Sequence, residues 1–348
     1  MDRAPGHTTA VIPAWEKEEG QTRPPGKNTR SPGPAPSREE APRLGLFSAR
    51  SLLLLLLLLS ALFPVSISAQ PSSLSTLEED VRAVLDTVEG DFAVAFRSLD
   101  DTSQTLLINE HQTFHAASTM KTPVMIELYR QAKGGRFDLD DSIRVENEFQ
   151  SIVDGSTYSL TPEDDSYDAL YEHLGEQRSI RTLMREMITA SSNLATNILI
   201  EKVGAERTTQ TMRRYGADRI QVRRGVEDMR AYRRGLNNET SAHDLMVIFE
   251  RLARGEAVSE EASQEMIQIL KGQEYDDMIP ARLPDAVEVA HKTGWITGLH
   301  HDPGIVFVPD GPTYVLVLLS QNLEDEDAGV TAFARISRLV FDSMTQER

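Results

Sequence analysis

The sequence predicts an α/β fold of the α+β type: a five-stranded antiparallel sheet flanked by N- and C-terminal helices, with an all-helical lobe inserted between its halves. Three observations lead there. Apolar residues at helical spacing open and close the folded part of the chain. Short apolar, strand-like runs sit near both ends, and the stretch 135–285 between them is helical by pattern. The order helix, two strands, helical middle, three strands, helix assembles one sheet from both ends of the chain.

Each element has its own signal. Leu77, Val81, Val84, Leu85 and Val88 recur at helical spacing and predict a helix over 75–87, broken by Gly90 and Asp91. Residues 92–96 and 105–108 read as strands joined by a turn at 99–102. A helix follows from Ser118 to about Ala132, stopped by Gly134 and Gly135. In the middle, 180–190, 194–203, 242–253 and 260–270 carry spaced apolar residues, whereas 223–238 shows little periodicity. Strands are predicted at 287–291, 304–308 and 314–319, the last two joined through Pro309, Asp310, Gly311 and Pro312. A helix over 329–344 closes the chain.

The 348 residues hold 36 Lys plus Arg against 54 Asp plus Glu, a formal charge of −18. Phosphate neutralisation needs clustered cations, so this balance argues against a nucleic-acid-binding protein. The absence of cysteine excludes disulfides, thiolate metal sites and a cysteine nucleophile. Residues 1–49 are rich in Pro, Gly, Arg and Ser and read as a disordered leader, with a misassigned start codon as the explanation of its length. Arg50, eight leucines from Leu52 to Leu59, and small residues before Gln70 then read as a signal peptide over 50–69. The expectation is an exported, periplasmic or extracellular protein; an uncleaved signal acting as a membrane anchor is the alternative. The working domain spans 72–348 and is expected to be a monomer.

Chemistry enters at Ser118-Thr-Met-Lys121. At the start of a helix, residues three apart share a face, so Lys121 stands beside Ser118. A serine hydroxyl needs such a base, acting as a neutral amine or by orienting the hydroxyl, and the helix N-terminus offers backbone N–H groups to an oxyanion. Alone the pattern is common, and a capping serine with a solvated lysine explains it as well. Two further motifs follow in order: Ser191-Ser-Asn193 between two predicted helices, and Lys292-Thr-Gly294 at a strand end. A later Ser320-Gln-Asn322 fails on order and reads as a strand terminus. Phosphate-loop, zinc-protease and nucleophile-elbow motifs are absent, and no cofactor or metal is expected.

This ordered triplet resembles the active-site serine penicillin-recognising enzymes, and the class A β-lactamase branch most closely, over about residues 75–345. The resemblance implies a two-lobed β-lactamase/transpeptidase-like fold with a cleft between its lobes and a small-molecule substrate. It implies that Ser118 is acylated with Lys121 as proton partner, and that Ser191 relays a proton to the departing nitrogen. Asn193 then holds the acylamide side chain, Lys292 and Thr293 bind the substrate carboxylate, and Gly294 lets substrate lie along the strand. The backbone N–H groups of Ser118 and Trp295 form the oxyanion hole.

The pattern also departs from the family. Class A enzymes activate the deacylating water with a Glu in a Glu-x-x-Leu-Asn motif. Here Glu227 stands 34 residues after Asn193, followed by Asp228-Met-Arg-Ala231, so the Leu-Asn pair is missing and Ala231 takes the place of the Asn. Glu227 is either the deacylation base or a loop carboxylate paired with Arg223 or Arg224. Leu236-Asn237 lies nearby, and an Arg224–Glu239 pair is expected to close the loop. Trp295 replaces a small residue and narrows substrate choice. The later carboxylate-binding Arg is missing, leaving His300 or His301 to substitute. The stretch 148–174, acidic and bearing Tyr158, Tyr167 and Tyr171, is an insertion, read as a mobile surface loop or as a rim of the cleft. The leading reading is β-lactam hydrolysis. A penicillin-binding D,D-peptidase or esterase with slow deacylation, and a non-catalytic peptidoglycan or β-lactam sensor, are the alternatives.

Overall fold

The computed structural model describes residues 74–346; the leader and signal read from the sequence lie outside them. The opening helix α1 (Leu74–Leu85) buries Leu77, Val81, Val84 and Leu85, the face its spacing predicts. It leads into β1 (Asp91–Ser98) and β2 (Thr105–Ile108), which pair antiparallel. At the other end lie β3 (Glu288–His291), β4 (Gly294–Ile296), β5 (Leu299–Phe307) and β6 (Thr313–Gln321). β5 pairs with β6, and β6 with β1, so the two ends of the chain meet in the middle of the sheet. β3 and β4 both pair with β5 in one continuous register and form a single edge strand interrupted at Lys292 and Thr293. The strand expected at 287–291 therefore resumes after a break as β4, which the sequence does not signal, and the break falls on the Lys-Thr step of the third motif.

Alternation sorts side chains between two cores. Along β1, Ala93 and Ala95 face the helical lobe, while Phe92, Val94 and Phe96 face α1 and the closing helix α9 (Glu326–Gln346). β6 does the same with Val315, Val317 and Leu319 against Tyr314, Leu316 and Leu318. A strand covered on both faces reads as the uninterrupted apolar run seen at 314–319.

The lobe is built from α2 (Lys121–Lys133), α3 (Ile180–Thr189), α4 (Asn193–Val203), α5 (Ala205–Arg214), the short α6 (Met229–Arg233), α7 (Ala242–Ala253) and α8 (Glu260–Leu270). It is not wholly helical: Ser142–Arg144 pairs with Gln177–Ser179, and Phe149–Gln150 with Thr157–Tyr158. α5 escapes sequence periodicity because its inward face is Thr208, Thr211 and Met212 rather than aliphatic. The insertion 148–174 is not the loosely held surface loop the sequence suggests. Phe149, Leu160 and Leu170 are buried in the lobe core, and Ser151 and the Ile152 amide bind the buried Asp228 carboxylate at 2.8 and 3.0 Å. No helix among the described residues is long and apolar enough to cross a membrane.

Candidate active site

Ser118 lies in a 3-10 turn, Ala117–Met120, that runs directly into α2 at Lys121. The turn is entered through Ala117 in left-handed backbone, φ 43°, with its amide held by His115 Nδ1 at 3.1 Å. This places Ser118 one turn before Lys121, at the start of α2. Among the described residues the Ser118 hydroxyl makes no side-chain hydrogen bond and is free to meet a ligand.

Lys121 is fully buried, and its Nζ donates to the Ser191 carbonyl at 2.6 Å, Ser191 Oγ at 3.1 Å and Asn193 Oδ1 at 3.0 Å. Burial pushes the Lys121 ammonium down to about 7, with the Asp165 carboxylate pulling the other way. Lys292 is equally buried and donates to the same Ser191 Oγ at 3.2 Å and to the Thr293 carbonyl at 3.0 Å. Burial first, and the neighbouring Lys121 second, hold Lys292 well below the ordinary lysine value, opposed by Asp302. The three motifs thus converge: one serine hydroxyl, itself on a residue with φ 60°, bridges two buried amines from distant parts of the chain.

The split edge strand closes the fourth side. A Cβ on Gly294 would stand 2.9 Å from the Ser118 amide nitrogen and 3.1 Å from that of Thr119, so only glycine permits the strand this close. The Lys292 amide bonds the Pro303 carbonyl of β5 at 3.1 Å. Antiparallel pairs alternate, so Thr293 and Trp295 turn their backbone N–H and C=O groups away from β5, toward the open edge. The Trp295 ring is 55% exposed and belongs to neither core.

Glu227 has left-handed backbone, φ 60°, on the 223–238 loop. Burial raises its carboxyl pKa, reinforced by Asp164 and Asp165 and opposed by Arg224. It forms no ion pair with Arg223 or Arg224; the loop is closed differently. Arg223, not Arg224, pairs with Glu239 at 3.1 Å. Arg224 is buried and donates to the Leu236 carbonyl and to Asn237 Oδ1, both at 3.2 Å, so Asn237 serves the loop's own closure. Ala231 is buried inside α6, where Asp228 caps its amide.

Sequence reasoning missed Asn197, one turn after Asn193 on α4. Its side chain clamps the residue before Glu227, accepting from the Val226 amide at 2.6 Å and donating to the Val226 carbonyl at 2.9 Å. The i, i+4 spacing from Asn193 was the available signal. The histidines do not replace the missing arginine. His301 is buried, with Nε2 at 2.8 Å from the His115 carbonyl and the Ser320 amide donating to Nδ1 at 3.3 Å, and burial pushes it down to about 4. His300 is engaged by Glu326 at 3.0 Å. Ser320 is the penultimate residue of β6 and donates to the His300 carbonyl, so it belongs to the strand's end as its position implies.

Residues 76–344 match the family model described as the Beta-lactamase enzyme family. The chain belongs to the β-lactamase enzyme family. Among relatives, a β-lactamase of Bacteroides uniformis is 24% identical over 289 residues, which are 78% of this chain and 92% of that one. The β-lactamase PSE-4 of Pseudomonas aeruginosa is 22% identical over 297 residues, 84% of this chain and 98% of that one. Among solved structures, a β-lactamase from Sphaerobacter thermophilus superposes with a TM-score of 0.66 at 24% identity, covering 78% of this chain and 98% of the other. PBP-A superposes equally well, with a TM-score of 0.66 at 24% identity and 79% and 98% coverage.

Proposed function

We propose that this protein is an exported class A-like serine β-lactamase that works through an acyl-enzyme at Ser118. The observation that carries the reading is the Ser191 hydroxyl held by both Lys121 and Lys292, beside a strand that touches the Ser118 turn. As an ammonium Lys121 satisfies three acceptors; losing one proton leaves two donors and a lone pair, and Ser118 on the same face supplies the proton for it. The attacked carbonyl oxygen becomes an oxyanion between the amides of Ser118 and Trp295. Ser191 passes a proton to the departing lactam nitrogen, drawing on the amines it bridges. Lys292 and Thr293 take the substrate carboxylate, Asn193 the acylamide group, and Gly294 gives the ligand room along the edge.

Turnover then depends on Glu227 activating water against the ester. A purified sample mixed with a chromogenic cephalosporin releases colour steadily, and a fluorescent penicillin labels Ser118 only transiently. Glu227→Gln acylates at the native rate and accumulates the label; unchanged turnover in that variant removes Glu227 from the mechanism. A second reading rests on the loop: Ala231, which stands in the sequence where the family pattern has Asn, is buried, and Asn237 is engaged by Arg224. A penicillin-binding D,D-peptidase follows if native protein keeps its label without releasing colour. A stable label without colour also fits the sensor, and neither colour nor label points to an ester or peptide substrate. Residues 50–69 support export through a signal peptide, and the domain acts as a monomer on a small molecule.

A further inference from the structure

Asp165 belongs to none of the three motifs and sits in the insertion 148–174. Its carboxylate nonetheless takes four donors. Oδ1 accepts from the amides of Asn193 at 2.8 Å and Tyr167 at 3.1 Å; Oδ2 accepts from the Leu194 amide at 2.8 Å and the Tyr171 hydroxyl at 3.0 Å. Asn193 and Leu194 are the first two residues of α4, and the Ser192 hydroxyl caps the next amide, Ala195. The adjacent Asp164 carbonyl receives Asn193 Nδ2 at 3.4 Å. The insertion therefore grips Asn193 by its backbone and by the far end of its side chain, leaving Asn193 Oδ1 to meet Lys121.

We propose that Asp165 is a positioning residue of the catalytic pocket: by binding the first two amides of α4 it holds the Asn193 side chain against Lys121 and places an anion within electrostatic reach of that amine. The inference rests on the reading of Lys121 as proton partner of Ser118. It gives the insertion a task that its acidic composition alone does not reveal. The carboxylate satisfies the start of the helix, so its charge meets the positive end of the α4 dipole as well as the Lys121 ammonium. The groups facing Lys121 are Lys292 from the edge strand, Ser191 and Asn193 from the lobe, and Asp165 from the insertion; Asp165 also acts on Glu227, raising its carboxyl pKa. Burial disfavours the charge on Lys121, and Asp165 is the group that opposes it there. Removing the anion shifts Lys121 toward its neutral form at lower pH.

Asp165→Asn keeps the shape and one acceptor and removes the charge, whereas Asp165→Ala removes both. Two measurements on the full-length protein read the effect. The first is an NMR titration of the ¹³C-labelled Lys121 side chain without any substrate, in which Asp165→Asn lowers the midpoint by about one pH unit. The second is the rate of Ser118 labelling by fluorescent penicillin as a function of pH. Its acid limb moves down with the midpoint in Asp165→Asn, and the plateau falls about tenfold or more in Asp165→Ala as Asn193 is released. If Asp165→Ala fails to fold, Asp165→Asn alone decides. A Lys121 midpoint and a labelling profile in Asp165→Asn that match the native protein overturn the proposal. Native protein that takes no penicillin label overturns the acylation reading instead, and the NMR titration still decides the part played by Asp165.

Discussion

Gly294 and Ser118 come from segments 176 positions apart in the chain, yet a methyl group on Gly294 would stand 2.9 Å from the Ser118 amide nitrogen. Backbone atoms cannot rotate away as the end of a side chain can. Gly294→Ala therefore forces the edge strand and the nucleophile turn apart, opening the space between the Ser118 and Trp295 amides. The overpacking costs about 1–3 kcal/mol of stability. Acylation falls by about 10²-fold, the scale seen when an oxyanion donor is displaced. Calorimetry and single-turnover acylation check the two effects separately, and native acylation in this variant removes the contact from the mechanism.

Lys121 titrates at about 7, so the pH dependence of acylation has a definite sign. With Lys121 as the proposed proton partner, the neutral amine accepts the Ser118 proton, so acylation is expected to be low below that value, to rise through it and to level off above it. Lys121→Arg stays protonated at every accessible pH and loses about 10²–10⁴-fold in acylation rate with no such limb. Stopped-flow labelling across the pH range is the measurement, and a flat native profile contradicts the assignment.

Asn197 ties α4 to the residue preceding Glu227 through two hydrogen bonds. Asn197→Ala breaks both and frees the loop at the point where the carboxylate must be held. Stability drops by about 1 kcal/mol, because half-buried backbone groups of Val226 lose partners. Deacylation slows more than acylation does, so labelled protein accumulates; the ratio of the two rates, read by mass spectrometry of the quenched enzyme, shows it.

His115 and His301 are both pushed down to about 4 by burial, with Arg224 adding to the effect at His115. The unfolded chain protonates histidine near 6.5, so between about 6.5 and 4 the unfolded state binds more protons than the native one. Stability is therefore full above that window and declines as pH falls through it. His301→Gln keeps a donor for the His115 carbonyl without a titrating ring, and the slope of the urea midpoint against pH flattens in this variant. An unchanged slope excludes His301 as a source of the acid sensitivity.

Local pattern carried much of the architecture. Continuous apolar runs marked β6 and the second half of β5, helical spacing marked α1, α7 and α8, and Ser118, Lys121, Ser191 and Lys292 stood out because each motif is short and contiguous. What stayed hidden depends on which side chain meets which across long stretches of chain. Ser151 reaches Asp228 over 77 residues, and Asp165 reaches the Asn193 amide over 28. Neither leaves a periodic trace. Arg223 and Arg224 show the same limit at single-residue scale. Neighbours on extended chain point to opposite sides, so the partner of Glu239 was assigned to the wrong one of two adjacent guanidiniums. α5 was missed because threonines took the inward positions that aliphatic residues usually hold.

Ala117, Ser191 and Glu227 adopt a backbone twist that L-residues bearing a β-carbon disfavour, and each belongs to a different arm of the pocket. Such conformations carry a penalty of order 1–3 kcal/mol apiece, which the surrounding fold absorbs. Glycine relaxes the twist at any of the three, but at two of them it discards a group that the proposed chemistry employs. Evolution toward greater heat resistance alone thus runs downhill into inactivity at these positions, and a variant library sorted only for thermal survival would be enriched in well-folded, silent enzymes.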